Sequence, residues 1–231
     1  MKSEKSKEAA VLHLVKVSLS VGNQVIIDDL SVSIRSDEVV TVMGPSGAGK
    51  SSLLAFICGF LDPAFTRHGT IRLNQREITH CPPEKRRVGI LFQDDLLFPH
   101  MTVAQNLAFA LPQKQKNKHE RQKAVAQALA EAGLDGFEKR MPDTLSGGQR
   151  ARVAVMRTLL SEPEALLLDE PFSKLDADTR QRFRGFVFSH ARQYSLPTLL
   201  VTHDPEDANV SGGRVIKLKE NQGKEKQTEG F

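Results

Sequence analysis

The residues from Gly44 to Ser51, Gly44-Pro45-Ser46-Gly47-Ala48-Gly49-Lys50-Ser51, spell G-x-x-x-x-G-K-[ST] in full. Glycines at those positions let the backbone curl until successive N–H groups converge on one anion. The Lys50 ammonium supplies a point charge suited to the β- and γ-phosphates of a nucleoside triphosphate, and the Ser51 hydroxyl suits Mg²⁺. A glycine-rich turn can arise by chance. Here an apolar run, Glu38 to Met43, leads into it and a helical stretch from about Gly49 to Phe60 follows. That strand-loop-helix context is what the motif requires, because the helix N-terminus adds its own positive end.

Two further groups could act on a bound phosphate. Ala165-Leu166-Leu167-Leu168 is an apolar strand that runs into Asp169 and Glu170. Asp169 at the strand end is placed to support a metal ion. Glu170, one residue on, points elsewhere because side chains alternate along a strand, and it suits a carboxylate that orients or deprotonates an attacking water. In isolation the same residues read as a solvated acidic turn before Pro171. Ser146-Gly147-Gly148-Gln149, after Leu145, places a hydroxyl and glycine amides at the start of a helix, which is a second phosphate grip or, read alone, a helix cap.

These groups need rigid elements beneath them. Val11–Val17, Val25–Ile27 and Leu30–Ile34 read as strands, the last two split by Asp28-Asp29, and together they suggest antiparallel sheet. Thr70–Leu73, Val88–Phe92, Thr198–Thr202 and Arg214–Leu218 read as further strands. Helical spacing covers Val103–Leu111, Glu120–Ala132 (with Gly133 as its stop), Gly147–Leu160 and Ala177–Tyr194. Length, apolar content and charge fit one α/β domain with a core of its own. The net charge of +4 is dispersed except at Lys85-Arg86-Arg87 and Lys114–Lys123, so no concentrated basic stripe points to nucleic acid. Two cysteines, Cys58 and Cys81, are too few for a disulfide framework or a zinc site and suit a reducing compartment. The longest apolar stretch, Leu53–Leu61, is broken by Gly59 and is about half of the ~20 residues a membrane helix needs. Any membrane role is therefore expected to run through a partner.

In the order phosphate loop, Leu145-Ser146-Gly147-Gly148-Gln149, then Leu-Leu-Leu-Asp-Glu, the chain resembles the ATP-binding subunits of ABC transporters. The resemblance runs from about Val11 to Leu218. Within it Gln93 matches the family's Q-loop glutamine, Ser173-Lys174-Leu175-Asp176 its D-loop, and Thr202-His203-Asp204 its switch histidine. It implies a P-loop NTPase fold: a RecA-like core, an N-terminal antiparallel β subdomain and an inserted α-helical subdomain at about 94–160. Residues 11–219 would form the ATPase domain, between a flexible N-terminus at 1–10 and a polar tail at 220–231. Carried over, Gly44–Ser51 with Ser52 would bind nucleotide, and Ser51, Gln93 and Asp169 would hold Mg²⁺. Glu170, Gln93 and His203 would serve hydrolysis. Ser146, Gly147, Gly148 and Gln149 would reach the γ-phosphate of a second copy, with Asp176 communicating across that dimer.

The resemblance further implies a homodimer on ATP binding, integral-membrane permease subunits as partners, an indirect link to a solute-binding protein, no nucleic acid, and a place at the cytoplasmic face of the cell membrane. Pro82–Gln93 and Leu97–Val103 resemble importer subunits, and Gly69–Asn74, Val88–Asp94 and Leu145–Ala154 together resemble the Ynj-type, which implies a thiamine-like solute. The chain stops soon after Leu218, so a C-terminal regulatory domain is not expected. Three departures stand out. Val21 occupies the position where the family stacks adenine on a ring, so weak base discrimination, with GTP turned over nearly as well as ATP, is expected. Lys174 replaces a small D-loop residue, and the loop 62–68 looks slightly long.

Overall fold

The computed structural model describes residues 11–112 and 117–218. The expected flexible start at 1–10, the polar tail at 220–231 and part of the basic Lys114–Lys123 stretch lie outside the described residues.

Two sheets carry the fold. The first is antiparallel, in the order β2-β1-β4-β5, with β1 Val11–Val21, β2 Gln24–Arg35, β4 Phe65–Leu73 and β5 Arg76–Glu77. The second is parallel, in the order β6-β7-β8-β3-β9, with β6 Val88–Leu91, β7 Ala165–Asp169, β8 Thr198–Thr202, β3 Val39–Met43 and β9 Val215–Lys217. Among the described residues six α-helices complete it: α1 Lys50–Cys58, α2 Val103–Ala110, α3 Lys118–Glu131, α4 Gly147–Leu160, α5 Ala177–Gln193 and α6 Pro205–Ser211.

The antiparallel sheet corrects two readings of the sequence. Asp28-Asp29 does not end a strand: between the pairs Val17↔Leu30 and Leu19↔Ile27 the register slips, and β2 absorbs one extra residue there. Asp29 takes φ 46 in that bulge, and its N–H donates to Ser18 Oγ at 2.9 Å. The segment 62–68 is not a long loop either. Only a short turn precedes β4, in which Phe65 N–H donates to the Asp62 carbonyl at 3.0 Å and Ala64 N–H to Asp62 Oδ1 at 2.8 Å. From Phe65 onward the chain pairs with β1, ending on Val21↔Phe65. A second bulge, at Lys16, sets this register: Lys16 has φ 50, and a Cβ on the facing Gly69 would come within 2.4 Å of the Lys16 carbonyl oxygen.

The parallel strands divide the interior into two cores. On β7, Ala165 and Leu167 pack with α1 and the antiparallel sheet. Leu166 and Leu168 pack instead with Phe172, Phe183 and Phe188 and with helices α2 to α5. This is the two-sided burial that makes parallel strands read as continuous apolar runs. Arg86 ties α1 to the chain ahead of β6. It is only 3% exposed. Its guanidinium donates to the carbonyls of Phe56 at 2.8 Å, Ile57 at 2.9 Å, Thr79 at 2.7 Å and Cys81 at 2.7 Å, two of which are open ends of α1. Among the described residues no helix is long and apolar enough to cross a membrane.

Candidate functional site

The loop between β3 and α1 is built from left-handed glycines. Gly47 has φ 82 and Gly49, the cap of α1, has φ 89. A Cβ on Gly49 would lie 2.4 Å from Ile26 Cγ2, so close approach of β2 reinforces the need for glycine there. Lys50 folds back over its own loop and donates to the carbonyls of Gly44 at 2.7 Å and Pro45 at 2.9 Å. The amides of this loop, its hydroxyls and this cation together make an anion cradle.

A cleft of ≈ 420 Å³ opens beside it, lined by Ser46, Gly47, Gly49, Lys50, Ser51, Ser52 and Glu170, and by Ile26 and Phe65. Asp169, at the end of β7, has its carboxyl pushed above the usual carboxylate range. Burial is the main cause and neighbouring Glu170 adds to it, opposed by the Lys50 charge and a hydrogen bond from Ser51. Glu170 leaves the strand at φ 45, its N–H donating to the Val201 carbonyl at 2.9 Å. That left-handed step turns its side chain away from Asp169 toward β8, where Glu170 Oε2 lies 3.0 Å from His203 Nδ1. Three neighbouring strands of the parallel sheet, β3, β8 and β7, thus deliver Lys50, His203 and the Asp169-Glu170 pair from their C-terminal ends, the edge where such sheets bind ligands.

Among the described residues, no cluster of three or more His, Cys, Asp or Glu side chains could hold a metal. Ser51 and Asp169, hydrogen-bonded to each other beside the cradle, are a pair of oxygen donors. Two protein oxygens fit Mg²⁺, which usually keeps waters and takes the rest of its shell from substrate phosphates.

The remaining residues singled out in the sequence lie apart from this cleft. Ser146 caps α4: its Oγ accepts from Gln149 N–H at 3.3 Å, and Gln149 Oε1 accepts from Ser146 N–H at 2.9 Å, a complete capping box. Ser146, Gly148 and Gln149 line a different cavity with Arg152, Thr179 and Phe183. Asp176 caps α5 beside them, accepting from Thr179 N–H at 3.0 Å. Gln93 is exposed just past β6.

The segment after Gln93 is held on two sides, a pattern the sequence did not reveal. Lys174 pairs with Asp94, which gives the unusual D-loop lysine a partner. Asp95 meets Arg150 of α4 at 3.3 Å, and Arg157 donates to the Leu96 carbonyl at 2.7 Å. Beside this segment runs an open groove lined by Leu96, Phe98, Phe109, Ala110 and Arg157, with Leu96 56% and Phe109 65% exposed.

A family model described as ABC transporter matches residues 27–173. The chain is 45% identical over 197 residues to the uncharacterized ABC transporter ATP-binding protein YnjD of Escherichia coli (strain K12), covering 85% of this chain and 90% of that one. It is 38% identical over 210 residues to the spermidine/putrescine import ATP-binding protein PotA of Marinobacter nauticus, covering 91% of this chain and 56% of the relative. It is likewise 38% identical over 199 residues to the Fe(3+) ions import ATP-binding protein FbpC of Fusobacterium nucleatum, covering 86% of this chain and 53% of the relative. The chain thus spans most of YnjD but little more than half of those import relatives. Among solved structures, the "Dimeric Structure of MJ0796, a Bacterial ABC Transporter Cassette" superposes with a TM-score of 0.74 at 28% identity, covering 90% of this chain and 94% of that one.

Proposed function

The chain belongs to the ABC transporter family, and from that premise we propose that it is the ATP-hydrolysing subunit of a solute importer, working as a pair of copies on the cytoplasmic face of a membrane permease. The observation that carries the reading is the separation of two half-sites. The phosphate cradle with Glu170 and His203 forms one cleft, and the Ser146–Gln149 helix start lines another. Each is an anion grip, and neither encloses a triphosphate alone. Two copies arranged head to tail would complete both, as the dimeric relative suggests.

In this reading, the Gly44–Ser51 amides and Lys50 hold the phosphates and Ser52 the start of the helix. Ser51 and Asp169, with Gln93, would hold Mg²⁺, which neutralises charge on the phosphates when bound. Glu170 orients the attacking water, and His203, in hydrogen-bond reach of Glu170, fixes that carboxylate and faces the γ-phosphate. Ser146 to Gln149 and Asp176 act across the pair. Closure follows because ATP binds the closed pair better than the open one. Cleavage of the terminal phosphate removes the bridge. The groove of Leu96, Phe98 and Phe109, with Leu96 and Phe109 exposed, supports docking of a permease element beside Gln93. A solute-binding protein outside the membrane would then set the solute, for which a thiamine-like compound is the proposal.

Glu170→Gln tests this. The variant is expected to bind Mg-ATP, to hydrolyse it at least ~100-fold more slowly, as for loss of a catalytic base, and to sediment as a dimer only with Mg-ATP. A monomer under those conditions, even with the permease present, or undiminished turnover, overturns the proposal.

A further inference from the structure

We infer that Phe65 is the surface on which the nucleotide base rests, supplied from β4 in place of the ring that Val21 does not provide. The inference rests on the reading of the cradle cleft as a nucleotide site and adds the part of that site which recognises the base.

The lining of the cleft has two chemical characters: Ser46, Gly47, Lys50 and Ser51 are polar or positive, and Ile26 and Phe65 are apolar. A nucleotide combines the same two characters, anionic phosphates and a flat, poorly hydrated base. Val21 and Phe65 are directly opposite in the β1–β4 ladder. Residues so paired project from the same face of a sheet, within about 5 Å at Cβ. A ring on β4 can therefore cover the ground that a ring at position 21 would cover. The position of Phe65 is fixed from both sides: the Asp62 turn holds its N–H at 3.0 Å, and the Lys16–Gly69 bulge sets the register of β1 against β4. Ile26 lines the same cleft, its Cγ2 standing 2.4 Å from where a Cβ on Gly49 would lie. Phe65 is half-buried, and among the described residues none of the exposed aromatics Phe60, Phe92, Phe109 and Tyr194 lines this cleft.

A phenyl ring carries no hydrogen-bonding group, so it recognises the face of a base and not its edge. Every base presents such a face. The site then gains affinity from a nucleobase while discriminating little between adenine and guanine. The weak base selectivity expected from Val21 is retained, but its physical reason changes from a missing ring to a ring that reads no edge.

Calorimetry in Mg²⁺ with ADP, GDP and inorganic pyrophosphate, none of which requires turnover, tests it. Phe65→Ala should weaken ADP and GDP by roughly 5- to 150-fold, the range found for base–aromatic stacking, and leave pyrophosphate within about two-fold. Adding Val21→Tyr to Phe65→Ala should restore ADP affinity, which a merely structural role for Phe65 would not allow. Unchanged ADP affinity in Phe65→Ala, an equal loss for pyrophosphate, or failure of the Val21→Tyr rescue overturns the inference while leaving the nucleotide reading intact. Failure of the unaltered protein to bind ADP at all overturns both.

Discussion

Lys50 is 7% exposed, and the carbonyls of Gly44 and Pro45 in its own loop are its hydrogen-bond acceptors. These bonds hold the loop in the shape a phosphate needs; in the proposed site, Lys50 would exchange neutral acceptors for charged ones when a phosphate binds. Lys50→Ala removes both services. Titration calorimetry with ATP should show affinity reduced by about 10- to 100-fold, the worth of a hydrogen bond to a charged group; unchanged affinity would remove Lys50 from the site. The cradle was legible in the sequence because every part of it is local: the glycines, Lys50 and Ser51 lie within eight consecutive residues. Asp169 and Glu170 were legible as a strand end. Phe65 was not. Its claim on the cleft depends on a cross-strand register set by the Lys16 bulge, and a bulge leaves no reliable mark in a run of alternating residues. The pairing of Lys174 with Asp94 joins residues eighty positions apart, so nothing local announced it.

Among the elements, the parallel strands were the easiest to read and the antiparallel ones the hardest. Strands β3, β7 and β8 are buried on both faces and read as short continuous apolar runs. Strand β2 has a polar interruption that its bulge conceals, and β4 begins in Phe65-Thr66-Arg67-His68, which reads as loop because those side chains are mostly exposed. Helix α6 escaped notice although Asp204 and Pro205 give it both a cap, Asp204 Oδ1 accepting from Glu206 N–H at 2.8 Å, and a favourable first residue. At seven residues it shows little periodicity. One side chain has an outsized effect at this scale. Arg86 donates to four carbonyls, three of them in buried bonds, with no carboxylate among them. Arg86→Met keeps the volume of the stem and strands those acceptors. A loss of at least ~3 kcal/mol in chemical denaturation is expected, since each buried unsatisfied polar group costs on the order of 1 kcal/mol or more. A loss below about 1 kcal/mol would show that water replaces the guanidinium.

At the scale of the whole molecule, charge decides between partners. The net charge of +4 is spread over 231 residues, and the structure gathers many cations into internal pairs. Arg184 is buried against Asp207, whose other carboxylate oxygen accepts from Thr202 at 2.7 Å, and Arg214 meets Glu38 at 2.8 Å. Arg87 joins Glu164 at 2.6 Å across the β6–β7 edge, and Arg86 is held by carbonyls, so two of the three cations of the Lys85-Arg86-Arg87 run are committed to structure. Binding to duplex DNA should accordingly be weak, with a shallow dependence on salt. Fluorescence anisotropy across a salt series checks this, and a steep slope of the kind that follows release of many counterions would point to nucleic acid instead.

The cap of α4 has a directional consequence. Ser146 Oγ already receives the Gln149 N–H, and the Gln149 side chain returns the favour to Ser146 N–H. Among the described residues nothing takes the Ser146 hydroxyl proton. A lone pair is occupied and a donor is idle, at the tip of a helix whose dipole also favours anions. An incoming phosphate oxygen can accept that proton without breaking the bond that orders the turn. In the proposed pair of copies, the ordering cost of this turn would be met when the chain folds, not when the copies meet.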